Sequence, residues 1–240
     1  MARAGVASRR ASEEMIAAGR VAVNGETAVL GQRVDPASDR VELDGVPLVV
    51  DDTLVFWLLN KPPGYVTTAR DPQGRATVFD LVPAEPRVFT VGRLDRDSEG
   101  LLILTNDGEL AQLLTHPRHH VEKEYFVEVE GVPKPNALRT LREGVDLDDG
   151  RTLPARVRLV QSSDHGTSAL EIVVQEGRKR MVRRMCSAVG HPVLRLVRTR
   201  IGPLRDPALA PGTWRTLTAK EVRKLYAAST NIEGDEGPSR

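Results

Sequence analysis

Gly92-Arg-Leu-Asp-Arg-Asp-Ser-Glu-Gly-Leu-Leu-Ile-Leu-Thr-Asn-Asp-Gly108 is the stretch from which the fold is best read. Val88-Phe-Thr-Val91 runs into it and is apolar and β-prone, which predicts a strand ending at Gly92. Leu101–Thr105 predicts a second strand. Asn106-Asp107-Gly108 then turns the chain and offers an N-cap for a helix from Glu109 to about Leu114, closed by His116-Pro117. Strand, polar turn, strand and helix in this order do not make a βαβ unit. They point to an α+β fold.

The polar turn could carry chemistry. Asp95, Asp97 and Glu99 stand within five residues, flanked by Arg93 and Arg96. A carboxylate where strands end sits on a rigid scaffold, and arginine neighbours favour its charged form, able to act as nucleophile or base. A calcium loop starts the same way but needs Glu at its twelfth position, here Asn106, and Leu101–Leu104 reads as strand. A plain polar turn between strands fits the spacing as well.

Moving toward the C-terminus, Tyr125, Val127 and Val129 alternate as a half-buried strand, and Leu170, Ile172 and Val174 do the same. Leu138–Arg142 reads as a short helix. Met181, Val182, Met185, Cys186 and Val189 recur at helical spacing. Arg178, Lys179 and Arg180 lead into that helix, and guanidiniums there could cradle phosphates. Arg183 and Arg184 lie off its apolar arc near opposite edges, so periodicity does not choose which points into a site. Val193–Arg198 is strand-like, and Ala219–Ala227 is a last helix. Nine Lys/Arg and no Asp/Glu lie between Arg178 and Arg205 on a chain whose net charge is only +1, which composition reads equally as a candidate polyanion footprint or as a solvated helix face.

Moving toward the N-terminus, Leu54-Val-Phe-Trp-Leu-Leu59 is apolar on both faces and predicts a buried strand stopped by Lys61-Pro-Pro-Gly64. Residues 65–87 read as loop. Asp51 and Asp52 mark a boundary. Before it, Ala11–Ala18 predicts a helix with Ser12 as N-cap and Gly19 as its end. Two hairpins follow, turning at Asn24-Gly25 and Asp44-Gly45. The division is thus 1–50, a small module; 51–228, the main domain; and 229–240, an acidic tail expected to be disordered.

Composition narrows the classes further. The 240 residues are 40% hydrophobic and 28% charged, an ordinary globular balance. One cysteine, Cys186, excludes a disulfide framework, and a cytoplasmic setting fits. No apolar run approaches membrane-spanning length. His116, His119 and His120 cluster without supporting ligands, so a zinc site is not expected. No phosphate-cradling loop or dinucleotide fingerprint occurs. A hydrolytic carboxylate pair is disfavoured, because Asp97 and Glu99 have no evident pairing role with Asp95.

The Gly92–Gly108 block closely resembles the signature of the RsuA-type family of ribosomal RNA pseudouridine synthases. Leu59-Asn-Lys-Pro-Pro-Gly64, Lys123-Glu-Tyr125 and Glu176–Met185 resemble three further motifs of that family, in order. Residues 3–50 resemble the alpha-L RNA-binding motif of the ribosomal protein S-four type. That motif usually opens on a Leu-rich half-helix before the run that stands here as Ala2–Arg10; here only that run remains, so either the first helix is truncated or the start lies upstream. Met181 stands where the family often has a polar amide.

The resemblance implies a sheet-based catalytic domain, mixed and mainly antiparallel, and a reaction without cofactor or metal. It makes Asp95 the essential carboxylate and Tyr125 the platform that stacks on the target base. It makes Arg183 the partner of Asp95, resolving the choice the helix wheel leaves open. It suggests RNA contacts from Arg9, Arg10, Arg20 and Asn24 in the module, and from Lys61, Arg93, Arg178, Lys179, Arg180 and Arg184 in the main domain. Val66-Thr-Thr68 and Thr77-Val-Phe-Asp80 look more like the large-subunit branch. The implied partner is therefore 23S rather than 16S ribosomal RNA, possibly within an assembling ribosome, acted on by a monomer. The other reading is a non-catalytic RNA-binding assembly factor on the same scaffold.

Overall fold

A computed structural model of the chain describes residues 1, 7, 9–35, 38–48, 54–162 and 166–230, the last two without their side chains. The chain divides into two compact units, Met1–Leu54 and Val55–Arg240.

In the first unit, a helix Arg9–Ala17 accompanies a four-stranded antiparallel sheet. The strands lie in the order Glu26–Thr27, Val21–Val23, Val41–Leu43, Val46–Pro47. Asn24 and Gly25 both have positive φ, as do Asp44 and Gly45. Paired positive φ values are what a two-residue turn matched to strand twist requires, and Asn-Gly and Asp-Gly supply them at low cost. Val21, Val23 and Ala28 form a small core with Met15, Ile16, Val41 and Leu43 against it. The helix begins before Ser12, which lies inside it and is buried, so Ser12 is not the N-cap. Expectations for residues 2–6, 8 and 51–53 lie outside the described residues.

The second unit is built on a nine-stranded mixed sheet. Its main path runs Arg156–Ser162, Thr167–Val174, Lys123–Glu130, Val193–Ile201, Glu99–Thr105, Phe56–Lys61 and Trp214–Thr216. Leu204–Arg205 and Phe89–Val91 pair beside it. All these pairings are antiparallel but one: Val193–Ile201 meets Glu99–Thr105 in parallel, Val197 opposite Glu99 and Arg198 opposite Gly100. The fold is α+β.

Glu99–Thr105 shows why the sheet sits at the centre. Leu101 and Ile103 enter a cluster with Leu58, Leu110, Leu114 and Leu225, beneath the helices Gly108–Thr115 and Ala219–Thr230. Leu102 and Leu104 enter another with Trp57, Leu59, Val78 and Leu94. A strand buried on both faces has no polar side, and its central run Leu101–Leu104 is apolar throughout. A third cluster joins Val127, Leu170 and Ile172 to Met181, Met185 and Cys186 of the helix Met181–Ala188. Tyr125 packs against the edges of two clusters.

Four pieces of sheet went unread in the sequence, the hairpin Asp146–Leu147/Gly150–Arg151 and the strands Arg156–Ser162, Leu204–Arg205 and Trp214–Thr216, and so did the 3-10 turns Val78–Leu81 and Pro117–His119. The last helix extends to Thr230, two residues into the expected tail. Residues 231–240 lie outside the described residues. No described helix is long and apolar enough to cross a membrane.

Candidate active site

Asp95 sits in the turn after the Phe89–Val91 strand, and the turn is tied down at each step. Gly92 turns the chain with φ +71. The Leu94 amide donates to Thr67 Oγ1 at 3.3 Å, and that hydroxyl donates back to the Leu94 carbonyl at 2.7 Å. The Gly64 amide donates to the Arg96 carbonyl at 2.8 Å, and the Ser98 amide to the Asp95 carbonyl at 3.1 Å.

Lys61 supports the turn from within. Its side chain is fully buried, and Nζ donates to the carbonyls of Ser98 at 2.6 Å, Pro62 at 3.1 Å and Arg96 at 3.4 Å. Burial pushes its ammonium down to about 8, against the pull of Asp97, Asp95 and Glu99. Its expected role as an RNA contact is therefore corrected: a lysine with no exposed surface, spent on three carbonyls, braces the turn.

The arginine motif meets the turn, with a different pairing from the one expected. Arg180 holds Asp97 with two hydrogen bonds of 3.0 Å, and its Nη1 lies 4.0 Å from Asp95 Oδ2. Arg183 donates to the Asp97 carbonyl at 2.9 Å and approaches its carboxylate at 3.4 Å. The expected Arg183–Asp95 pair is thus corrected to Arg183–Asp97, with Arg180 the cation beside Asp95. Burial would raise the Asp97 carboxyl, but the hydrogen bond from Arg180 and the charge of Arg183 hold it below its ordinary value. Glu99 is bound by Arg195 through two contacts of 2.8 Å. Asp97 and Glu99 therefore do have partners, and both are arginines.

Asp95, Tyr125, Arg93, Lys123, Lys179 and Arg180 line one cleft of about 600 Å³. Its charged lining is six cations, Arg93, Lys123, Arg178, Lys179, Arg180 and Arg198, against Asp95 and Glu176. That excess suits a polyanionic ligand. Arg178 and Arg184 are already occupied: Arg178 by Asp149 and Glu176, and Arg184 by Asp148 and Asp149. They clamp the 146–151 hairpin to the helix Met181–Ala188, which corrects their reading as simple phosphate contacts. In the first unit Arg9 and Arg10 are exposed. Arg20 is held by Asp44, and Asn24 by Asp39 and the Arg40 amide, so both serve the hairpin itself. Sequence reading missed Thr67 and Arg198. Lys123 it noted only as a neighbour of Tyr125, although two residues apart on a strand means the same face.

Residues 55–188 match the RNA pseudouridylate synthase family, and residues 1–41 match the S4 domain. This chain belongs to the RNA pseudouridylate synthase family. The membership makes it an RNA pseudouridine synthase, an isomerase, as its sequence motifs led one to expect. It is 46% identical over 231 residues to a chain of Aquifex aeolicus (strain VF5) named "Uncharacterized RNA pseudouridine synthase", covering 95% of this chain and 92% of the other. It is 42% identical over 230 residues to "Ribosomal large subunit pseudouridine synthase B" of Bacillus subtilis (strain 168), covering 95% and 93%. A solved structure described as "Crystal structure of pseudouridylate synthase" superposes with a TM-score of 0.68 at 28% identity, covering 93% of this chain and 96% of that one.

Proposed function

We propose that this synthase isomerises one specific uridine of ribosomal RNA, in the 23S RNA of the large subunit, and that Asp95 is the reacting carboxylate. The observation that carries the reading is the convergence of Asp95 and Tyr125 in one cation-rimmed cleft. The name of the Bacillus subtilis relative supports the choice of subunit.

The target nucleotide must leave its stack to reach a carboxylate recessed in a cleft, at a cost of a few kcal/mol. The Tyr125 ring, at the cleft wall, gives the extruded base a surface to stack on. Asp95 then acts at the sugar, either attacking C1′ or taking the 2′ hydrogen. The C1′–N1 bond breaks, the base turns, and a C1′–C5 bond forms. The C5 hydrogen leaves as a proton and N1 gains one, so the product is an isomer and nothing is oxidised. Arg180 brings positive charge to 4.0 Å from Asp95, while Arg183 positions the turn through Asp97.

The test is to incubate wild type and Asp95→Asn with unmodified ribosomal RNA from both subunits and to map pseudouridine by chemical-adduct primer extension. A stop on 23S RNA with wild type alone is the expected result. A stop on 16S RNA overturns the subunit. Tight binding with no stop on either RNA, naked or in assembly intermediates, overturns the reading in favour of a binding factor.

A further inference from the structure

We propose that Lys123 and Arg198 form the receptor for the uracil ring as an anion, holding the charge that reaches its carbonyl oxygens when the glycosidic bond breaks. This rests on the synthase reading of the Asp95 cleft.

Both cations lie where the ring would stack. Lys123 and Tyr125 are two apart on one strand and share a face. Arg198 stands directly opposite Tyr125 in the neighbouring strand. All three line the cleft that holds Asp95.

Among the described residues neither cation has an ion-pair partner. Burial first, and beside it the charge of Arg198, brings the Lys123 ammonium down to about 8. Arg198 is 5% exposed. Its Nε donates to the Leu101 carbonyl at 2.7 Å, while its buried Nη2 has no hydrogen-bond partner. Other cations nearby are treated differently. Arg180, Arg184, Arg195 and Arg200 each hold a carboxylate. Glu124, between Lys123 and Tyr125 in sequence, faces the other side of the sheet, where it binds Arg200 and Arg205.

Two facing cations in a poorly solvated site are costly unless an anion joins them. The reaction supplies one. Whether Asp95 attacks C1′ or removes the 2′ hydrogen, the electron pair of the C1′–N1 bond leaves with the base. It is spread over N1, O2 and O4 until C5 uses a pair to form the new bond to C1′. Donors fixed where charge develops accelerate a reaction because they need no reorganisation when the charge appears. An uncommitted guanidinium N–H and an ammonium beside the stacking platform meet that requirement.

The test uses the full chain and RNA fragments carrying either uridine or 5-fluorouridine at the mapped target. Fluorine stabilises the base anion by itself, so it should substitute in part for a lost cation. Lys123→Met and Arg198→Met are compared with wild type in single-turnover loss of the N1-linked nucleoside, since 5-fluorouridine can break C1′–N1 and form C1′–C5 but keeps its fluorine at C5 where uridine would lose a proton. Thermal melts and RNA affinity are measured alongside. Arg198→Gln, which keeps N–H donors but removes the charge, serves if Arg198→Met does not fold. The expected result is a loss of roughly 100-fold on uridine RNA at unchanged RNA affinity. On 5-fluorouridine RNA the loss should shrink to roughly 10-fold. Equal losses on both RNAs, as for a phosphate contact or a structural defect, overturn the inference, and so does no loss. A wild type that converts neither RNA sinks the synthase reading of the cleft instead.

Discussion

Lys61 Nζ donates to the Ser98 carbonyl across 2.6 Å, which ties the end of one central strand to the turn that carries Asp95. The ammonium is enclosed, and burial lowers it from 10.5 to about 8 in the folded chain. Between those values the unfolded chain holds a proton on this lysine that the folded chain has released. Stability then rises with pH. Wild type should gain about 2 kcal/mol relative to Lys61→Met between pH 8 and pH 10. Urea denaturation of both proteins at several pH values measures it, and parallel curves would show that Lys61 does not titrate in this way.

Asp97 links the turn to the arginine motif by holding Arg180 and Arg183 together. Its side chain is 49% exposed, so its ion pairs should add less than about 1 kcal/mol to stability. Their effect on geometry should be larger, since a misplacement of a reacting group by about 1 Å can cost roughly 100-fold in rate. Asp97→Ala is expected to melt close to wild type and to lose roughly 10- to 100-fold in kcat. Full activity in the variant would place the turn's rigidity in Lys61 and Thr67 alone.

Gly100 stands where the two parallel strands meet, opposite Arg198. A Cβ there would lie 2.3 Å from the Arg198 carbonyl oxygen, and the glycine has φ +105. Contact with fixed backbone and a strained φ act together, so Gly100→Ala should destabilise the domain by about 3 kcal/mol or more. Chemical denaturation measures it. A loss below about 1 kcal/mol would mean that the strands part easily at this point.

The features that could be read from sequence were local ones. Leu101–Thr105, the Asp107 cap and the Asn-Gly and Asp-Gly turns depend on neighbours a few residues away, and each formed where expected. The strand Arg156–Ser162 alternates only over Arg-Val-Arg-Leu, then breaks into Val-Gln-Ser at the sheet edge, so its period-2 signal is too short to stand out. Trp214–Thr216 is three residues long and exists through pairing with Leu59, Leu58 and Trp57. Pairing of side chains was least legible. Arg183 finds the Asp97 carbonyl 86 residues away, and no spacing in the chain encodes that meeting. The helix wheel likewise could not show that Arg184 would turn to Asp148 and Asp149.

Asp107 allows a control in which stability changes while the chemistry does not. Its Oδ1 accepts from the amides of Glu109 at 3.0 Å and Leu110 at 3.1 Å, capping the helix Gly108–Thr115. Its Oδ2 accepts from the Tyr226 hydroxyl, which joins that helix to the last one. Asp107→Ala removes the cap and the acceptor of the Tyr226 hydroxyl, for a loss of about 2 kcal/mol. Asp107→Asn keeps an oxygen for the amides and should lose about half as much. Because Asp107 does not line the Asp95 cleft, both variants should convert RNA at the wild-type rate wherever they remain folded. Urea midpoints and single-turnover rates on one preparation separate the two effects. A rate that falls in step with the midpoint would show that this helix, whose Leu114 and Thr115 reach the cleft wall, also shapes the site.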